Sequence, residues 1–228
     1  SDLGLLTSES LSVDILGHAT VARTYIDRGA KTVTQVVDYP DSINDAVQIA
    51  INGLLLSSTS KTGLQTTFTH DALERQTGMS DPRTGASVTH YNSIGQVDWV
   101  QDAASNKTTF AYEADTGRRI STTDALGNAV YTAYNAKGQQ VATWGATYPV
   151  MYEFDQYDRM SAMYTLRDSS ITLASFADFV SNISSFDKTT WLFDEATGLL
   201  TNKVYADGKG PVYTYSADGK LATRTWAR

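Results

Sequence analysis

The second half of the chain alternates large rings with small or polar side chains over short stretches. Two rings are separated by a single residue in each of these stretches: Phe68-Thr69-His70, Phe110-Ala111-Tyr112 and Tyr213-Thr214-Tyr215. Residues two apart on a β-strand face the same side, so each stretch predicts a strand with two rings on one face. An acid, Asn or Ser follows each stretch and glycine comes soon after, as is typical of turns.

The second ring of each stretch, here called the anchor, recurs with a nearly constant period. Successive anchors are 21, 21, 22, 20, 39 and 22 residues apart, and the interval of 39 equals one period plus an insertion of about 18 residues. Six of the seven anchors are aromatic residues, and a histidine is the exception. The anchors are His70, Tyr91, Tyr112, Tyr134, Phe154, Phe193 and Tyr215.

A glycine follows most anchors at the position where a tight turn needs a positive φ. A second strand comes next, as in 96–100, and a further turn such as 102–106 ends the repeat. Each repeat is therefore predicted to be a β-hairpin. A lone hairpin is marginal in water, so neighbouring copies are expected to cover the rings. The predicted turn glycines are Gly95, Gly117, Gly138, Gly198 and Gly219.

Three copies come close to a Tyr-Asp-x-x-Gly-Arg-Leu consensus. They read Tyr91-Asn92-Ser93-Ile94-Gly95-Gln96-Val97, Tyr134-Asn135-Ala136-Lys137-Gly138-Gln139-Gln140 and Tyr215-Ser216-Ala217-Asp218-Gly219-Lys220-Leu221. The pattern resembles the YD-repeat, or RHS, family, which includes bacterial RHS proteins, the C component of insecticidal toxin complexes and the animal teneurins. The resemblance covers about seven copies over residues 66–228. His70 departs from it by replacing Tyr, and Glu74 and Asp158 by replacing Gly.

The resemblance implies an all-β fold in which tandem antiparallel hairpins form a curved or spiral sheet. In the family such a wall closes into a hollow shell that holds a C-terminal polypeptide, often a toxin. The resemblance therefore implies a secreted or cell-surface bacterial protein whose partner is an encapsulated C-terminal polypeptide.

Residues 1–65 lack the motif but still show strand patterning. Leu11, Val13 and Ile15 alternate with polar residues. Val47, Ile49 and Ile51 alternate in the same way with Gln48 and Ala50. Asn52-Gly53 is a type I′ hairpin signal, and Gly17-His18, Asp27-Arg28-Gly29 and Pro40-Asp41 predict further turns. This segment is either a set of degenerate repeats or a separate preceding β segment.

The insertion at 168–188 has a different period. Leu173, Phe176, Ala177 and Val180 fall at i, i+3, i+4 and i+7, which predicts a short amphipathic helix at 171–182. Ser169 or Ser170 is the expected N-cap. The helix is expected to pack on the sheet or to fill the space that the sheet encloses.

Composition narrows the function classes. The formal net charge of -7 disfavours nucleic acid and anionic lipid as partners, and no apolar run is long enough to span a bilayer. The chain has no cysteine, which excludes disulfides and thiolate chemistry. It lacks an initial Met and a leader, so we expect a processed or excised fragment. Because 221–228 ends on a repeat strand with no cap, we expect its partners to be further repeats of the parent chain or another copy of itself.

No residue cluster predicts catalysis. His18, His70 and His90 are widely separated, and the acids follow anchors or begin turns, where they bind backbone N–H groups. Some RHS proteins cut themselves at an Asp-Pro motif, but Asp81-Pro82 falls in an ordinary turn between hairpins. We therefore expect no catalytic residue, metal or cofactor and no enzyme activity.

Two non-enzymatic functions remain from the sequence. The first is a structural segment of a larger shell. The alternative is an extracellular glycan-binding or adhesive module, because exposed aromatic rings can stack on sugars. The tryptophans that such a module would use are Trp99, Trp144, Trp191 and Trp226.

Overall fold

The structure, a computed structural model, describes residues 4–168 and 170–226. Over these residues it contains nineteen β-strands, one α-helix and one 3₁₀ turn, and every recorded strand pairing is antiparallel. The predicted all-β fold of consecutive hairpins with one short inserted helix is confirmed. Backbone contacts divide the chain into two units, Ser1–Thr109 and Phe110–Arg228.

In the first unit each strand pairs with the next along the chain. Its last strand, β10, crosses the boundary between the units and pairs with β9 through Lys107–Thr109. The strands are β1 (Leu5–Val13), β2 (Ala19–Asp27), β3 (Thr32–Asp38), β4 (Ala46–Ile51), β5 (Leu54–Thr59), β6 (Gln65–His70), β7 (Gln76–Asp81), β8 (Gly85–Tyr91), β9 (Val97–Gln101) and β10 (Lys107–Tyr112).

The segment without the motif forms the strands and turns that the sequence predicted, with one exception. Asn52 and Gly53 have φ of 53° and 85°, as a type I′ turn requires. Ile15 was expected to continue the first strand but lies in the turn after β1, where it is 98% exposed. The carboxylate of Asp14 explains this ending, because it accepts the backbone N–H groups of Leu16 and His18 and so closes a turn.

The second unit continues the series of hairpins and contains the insertion. Its strands are β11 (Arg119–Thr123), β12 (Ala129–Tyr134), β13 (Gln140–Gly145), β14 (Val150–Phe154), β15 (Met160–Leu166), β16 (Phe186–Phe193), β17 (Leu200–Val204), β18 (Val212–Tyr215) and β19 (Leu221–Thr225). Helix α1 (Phe176–Ser181) and the 3₁₀ turn Ile183–Ser185 lie between β15 and β16.

The main buried cluster lies in the second unit, where the insertion packs on one face of the strands. Phe179 of α1 is 1% exposed, and its ring centroid lies 5.9 Å from that of Trp144 and 5.3 Å from that of Phe186. The opposite face of the sheet carries Tyr152 and the anchor Phe154 on β14. The buried residues are Ala142, Trp144, Met151, Ala162, Tyr164, Leu166, Leu173, Phe179 and Phe186.

The helix is shorter than the predicted span of 171–182. Its N-cap is Ser175, and the carboxylate of Asp178 accepts the backbone N–H groups of Ala174 and Ser175, so the helix begins five residues later than expected. Ser170 precedes the helix, and Ser169, the other expected cap, lies outside the described residues. The predicted apolar stripe is also shifted, because Phe179 is buried while Val180 is 58% exposed.

The packing of Phe179 predicts a large loss of stability on truncation. Phe179→Ala should lower the free energy of unfolding by about 3–5 kcal/mol, because it removes a buried ring and leaves a cavity. The neighbouring control, Val180→Ala, should change it by less than about 0.5 kcal/mol. Urea unfolding followed by circular dichroism measures both. Equal effects of the two substitutions would show that the insertion does not pack as described.

Candidate functional site

The seven anchors occupy equivalent places in their hairpins. Each anchor is the last residue of an even-numbered strand from β6 to β18, immediately before a turn. The register of strand pairing shifts just before the anchor in the hairpins of His70, Tyr91, Tyr134, Phe154, Phe193 and Tyr215. Such a bulge sets two residues against one and turns the strand locally. The anchors therefore form one repeated structural position.

After five of the seven anchors, an Asp or Asn side chain organises the turn. Oδ1 of Asn135 accepts the backbone N–H groups of Lys137 and Gln139, at 3.0 Å each, and its Nδ2 donates to Oε1 of Gln139 at 2.7 Å. This arrangement satisfies turn N–H groups that the strands cannot reach. The same i+2 and i+4 pattern recurs at Asp14, Asp71, Asn92, Asp102, Asp124 and Asp155.

The predicted turn glycines lie in these turns and have positive φ, between 70° for Gly117 and 91° for Gly95. Glu74 and Asp158, which replace glycine, adopt the same conformation with φ of 65° and 64°. A side chain in this region is strained, so the turn and not the residue type decides the backbone here.

Neighbouring hairpins separate near the anchors. The pairs recorded between β7 and β8 run from Gly78 with Val88 to Asp81 with Gly85. They end before the anchor, and the hydroxyl of Tyr91 donates to the carbonyl oxygen of Gln76 at 3.0 Å across the opening. We call each such opening an inter-hairpin cleft. The anchor side chain thus supplies a hydrogen bond where the backbone pairing has ended.

The same bridge recurs at a fixed spacing. The hydroxyl of Tyr134 donates to the carbonyl oxygen of Arg119 at 3.0 Å, and that of Tyr215 donates to Leu200 at 2.8 Å. In all three bridges the acceptor stands 15 residues before the anchor. His70 has no hydroxyl, and its buried Nδ1 has no hydrogen-bond partner within the part of the chain that the structure describes.

Arginine fills the cleft beside three of the anchors. The N–H of the residue after each anchor donates to the carbonyl oxygen of a residue at the far end of the turn. We call this acceptor the turn-closing residue. The guanidinium of turn-closing Arg75 lies 4.3 Å from the ring centroid of Tyr91, the next anchor. The corresponding distances are 5.8 Å for Arg118 with Tyr134 and 4.2 Å for Arg159 with Phe193. A cation over an aromatic face is attracted by the ring quadrupole.

The same arginines explain why glycine suits the following turn. A Cβ on Gly95 would lie 3.3 Å from Nη1 of Arg75, and one on Gly138 would lie 2.7 Å from Nη2 of Arg118. Nη1 of Arg159 donates to the carbonyl oxygen of Gly198 at 3.1 Å. Each arginine therefore reaches from its own turn to the next one and links two hairpins. The repeat pattern alone assigns these arginines no role, although each directly follows the turn residue with positive φ, which is Glu74, Gly117 or Asp158.

The aromatic rings are less buried than the repeat pattern predicted. Phe68, Tyr91, Tyr112 and Tyr134 are half-buried, and the fully buried rings of the second unit lie on the other face, under the helix. A half-buried ring gains less than the few kcal/mol of full burial. Polar and cation–ring contacts across the clefts therefore add to the cohesion that ring burial provides.

The acidic side chains are held in their charged form by these turns. The side-chain amide of Asn128, with the N–H groups of the turn, lowers the pKa of Asp124 below its ordinary value of 3.8. The Arg75 guanidinium lowers the pKa of Asp71 in the same way. Asp81 is buried and its pKa lies far below the usual range, mainly because the Arg83 guanidinium and backbone N–H bind it. These carboxylates serve the turns.

The histidines do not converge on one site. His18 lies 3.0 Å from Asp14 within a turn, and His90 lies 2.6 Å from Asp98 and stacks on Trp99 with a ring separation of 5.1 Å. Across residues 4–168 and 170–226, no group of three or more His, Asp or Glu side chains is placed to hold a metal ion. In those same ranges, no helix has the length and apolar character to span a membrane.

The tryptophans already have partners on their rings. Lys107 lies 4.1 Å from the ring of Trp99, Lys203 lies 5.0 Å from Trp191, and Arg224 lies 4.0 Å from Trp226. Trp144 is buried. A sugar would have to displace these groups in order to stack, so glycan binding stays a prediction from the sequence that no contact here favours.

Each unit consists of tandem antiparallel hairpins, with clefts near the anchors. No protein-family model matches the chain, and no curated protein matches its sequence. Among solved structures the chain is similar to TcdB2-TccC3-Cdc42, with a TM-score of 0.50, 11% identity and coverage of 97% of this chain and 16% of that chain. The predicted resemblance to YD-repeat, or RHS, shells is confirmed at the level of the fold.

Two further solved structures are similar with lower scores. TcdB2-TccC3 without its hypervariable C-terminal region gives a TM-score of 0.46 at 15% identity, over 95% of this chain and 14% of that one. A Photorhabdus luminescens Tc holotoxin pore gives 0.49 at 11% identity, over 97% and 16%. The chain thus spans about one seventh of the length of the solved chains that it matches.

The turn carboxylates predict a loss of stability in acid. Because the pKa of Asp124 is lower in the folded chain, its contribution is present above pH 3.8 and is lost as the pH falls through the folded pKa. Asp124→Asn keeps the acceptor for the turn N–H groups but removes the titration. The unfolding free energies of the variant and of the original chain, measured in urea over a pH series, should differ at neutral pH and converge in acid. A constant difference would contradict this.

Proposed function

We propose that the chain is a structural segment of a hairpin-repeat wall in a larger bacterial protein that is secreted or displayed at the cell surface. The wall encloses another polypeptide, such as a C-terminal segment of the same protein. The observation that carries the proposal is the recurring inter-hairpin cleft on a fold shared with TcdB2-TccC3-Cdc42. The chain acts as scaffold and not as an enzyme.

The use of the polar side chains supports a scaffolding role. Asp71, Asp102, Asp124 and Asp155 bind turn N–H groups, and the anchor hydroxyls bind backbone carbonyls. Catalytic groups are instead expected to converge on one cleft with strongly perturbed pKa values. Here the perturbed carboxylates are distributed over successive turns, where they stabilise the repeat.

Further strands are the first partners that we propose. Strands β1 and β19 are exposed at every residue, and β1 carries exposed Leu5, Leu11 and Val13. Exposed strand edges with few charges are templates for pairing with another strand. Further repeats of the parent chain, or another copy of this chain, would extend the wall at these strands.

Enclosure can be tested by comparing how a small and a large reagent label thiols on opposite faces of the wall. The chain has no cysteine, so Val88→Cys and Thr89→Cys each add one thiol on opposite faces of β8. In the natural full-length protein, a small maleimide should label both positions, whereas a maleimide on a large polyethylene glycol should label one position only. Mass spectrometry of the peptide that contains the thiol measures each reaction.

The isolated chain is the control, and both thiols should react with both reagents there because neither face is enclosed. Labelling of both positions by the large reagent in the full-length protein would show that the wall encloses nothing. A failure of the small reagent at either position would identify local burial instead, and a second pair of adjacent positions on β6, Thr67→Cys and Phe68→Cys, would then replace it.

A further inference from the structure

Two inter-hairpin clefts in the second unit lack the arginine that fills the clefts at Tyr134 and Phe193. Their turn-closing residues are Gln139, before the anchor Phe154, and Leu199, before the anchor Tyr215. A pocket lies at each of them, of about 590 Å³ at Gln139 and about 550 Å³ at Leu199. The pockets therefore coincide with replacement of the turn-closing arginine.

Backbone pairing is short at the cleft at Leu199, where only Asn202 with Val212 is recorded, and also at the cleft at Gln139. Only Ala142 with Met151 and Thr143 with Val150 are recorded as pairs between β13 and β14. The anchor of the cleft at Gln139 is Phe154, which has no hydroxyl to bridge the opening. Side chains from both faces of β14 line the pocket as a result, and α1 contributes Phe176 and Val180 from one side.

The lining of this pocket combines rings with carboxylates. Tyr134, Tyr152, Phe154 and Phe176 supply four aromatic rings. Glu153, Asp155 and Asp158 supply three carboxylates against one ammonium, that of Lys137. Arg159 pairs with Asp155 at 2.7 Å and Lys188 lies 3.7 Å from Glu153. Asp158, whose partner Lys137 is exposed, is therefore the carboxylate that suits a cation with a flat apolar face.

The filled clefts show which cation fits. Nη1 of Arg159 donates to the carbonyl oxygen of Gly198 at 3.1 Å while its guanidinium lies 4.2 Å from the ring of Phe193. In the cleft at Gln139, the shorter side chain reaches the equivalent carbonyl, that of Asp158, only at 3.4 Å through Nε2. Glutamine reproduces the hydrogen bond but supplies neither the charge nor the guanidinium plane.

We propose that the cleft at Gln139 binds the guanidinium group of an arginine side chain presented, next to apolar residues, by another polypeptide. The guanidinium lies over the ring of Phe154, as that of Arg159 lies over Phe193, and donates to the carboxylate of Asp158. The apolar neighbours of the arginine contact Phe176 and Val180. This goes beyond the proposed wall function, because it requires a polypeptide partner but not enclosure.

The present partner of Asp158 does not prevent this binding. Nζ of Lys137 lies 2.6 Å from Oδ1 of Asp158, but both side chains are more than half exposed. Exposed ion pairs contribute little to stability, so the lysine moves aside at low cost. The cleft at Leu199 is a poorer site because its lining carboxylate, Asp194, already accepts hydrogen bonds from the N–H and hydroxyl of Thr197.

The test is a titration of the complete chain with the tripeptide acetyl-leucyl-arginyl-leucyl-amide. Methyl resonances of Met151, Val180 and Ile183, which line the pocket, should shift and saturate in the millimolar range. The tripeptide with citrulline in place of arginine has the same shape without the charge and should bind at least about tenfold more weakly. The lysine tripeptide, which lacks the planar group, should also bind more weakly than the arginine tripeptide.

Two variants make the test specific to the cleft. Gln139→Arg fills it from within the chain and should abolish the shifts. Asp158→Gly restores the glycine of other repeats, removes the carboxylate and should weaken binding by about tenfold. Glu74→Gly is the matched control, because Glu74 has the same positive φ in a turn outside this pocket. It should leave binding unchanged.

The proposal is overturned if the citrulline and arginine tripeptides bind alike, if the shifts map away from the pocket, or if no shift saturates. Undiminished binding to Asp158→Gly would overturn it as well, even if Gln139→Arg failed to fold. None of these outcomes bears on enclosure, which the thiol labelling tests separately.

Discussion

Cohesion of the hairpins depends on what happens where their backbone pairing ends. An antiparallel pair that opens leaves carbonyl groups without partners, and burying such groups without a hydrogen bond is costly. In this chain the anchor hydroxyl enters the opening and donates to the carbonyl on the preceding hairpin, as at Tyr91 and Gln76. Turn-closing arginine then covers the anchor ring and reaches the next turn. Where these contacts are present, one repeat is thus tied to the next by side chains as well as by the ladder.

This arrangement accounts for the order of residue types in the motif. The anchor bridges the cleft, the Asp or Asn after it binds the N–H groups of the turn, the glycine permits a positive φ and close approach, and the arginine connects to the next hairpin. The contacts are local to each junction, so a repeat can lose one of them without loss of the fold. His70, Glu74 and Gln139 are such departures, and at Gln139 the departure leaves a pocket.

Periodicity was the part of the fold that the sequence could predict. A ring every 21 residues, with a turn residue after it, has few structural solutions, and the strands end at the anchors as this pattern requires. Turns built on Asx residues, such as those that begin at Asp102 and Asp124, were also visible because the mechanism is local. The exposure of Ile15 shows the limit, since alternation alone cannot tell a strand from the turn that follows it.

Longer-range features were harder to predict. The sequence indicated a helix in the insertion but not which ring it buries, because Phe179 depends on contact with Trp144 and Phe186 on distant strands. Burial of the anchors was overestimated, since nothing in a repeat pattern reveals which face of a sheet acquires a second layer. The arginines were overlooked because their partners lie in the next hairpin, 16 residues away for Arg75 and Tyr91.

A double-mutant cycle across one cleft tests the central claim most directly. Arg75→Gln, Tyr91→Leu and the double variant are compared with the original chain by urea unfolding. If side chains in the cleft hold adjacent hairpins together, the two positions should be coupled by about 0.5–2 kcal/mol. Effects that add to within about 0.3 kcal/mol would contradict the account, because backbone pairing alone would then suffice.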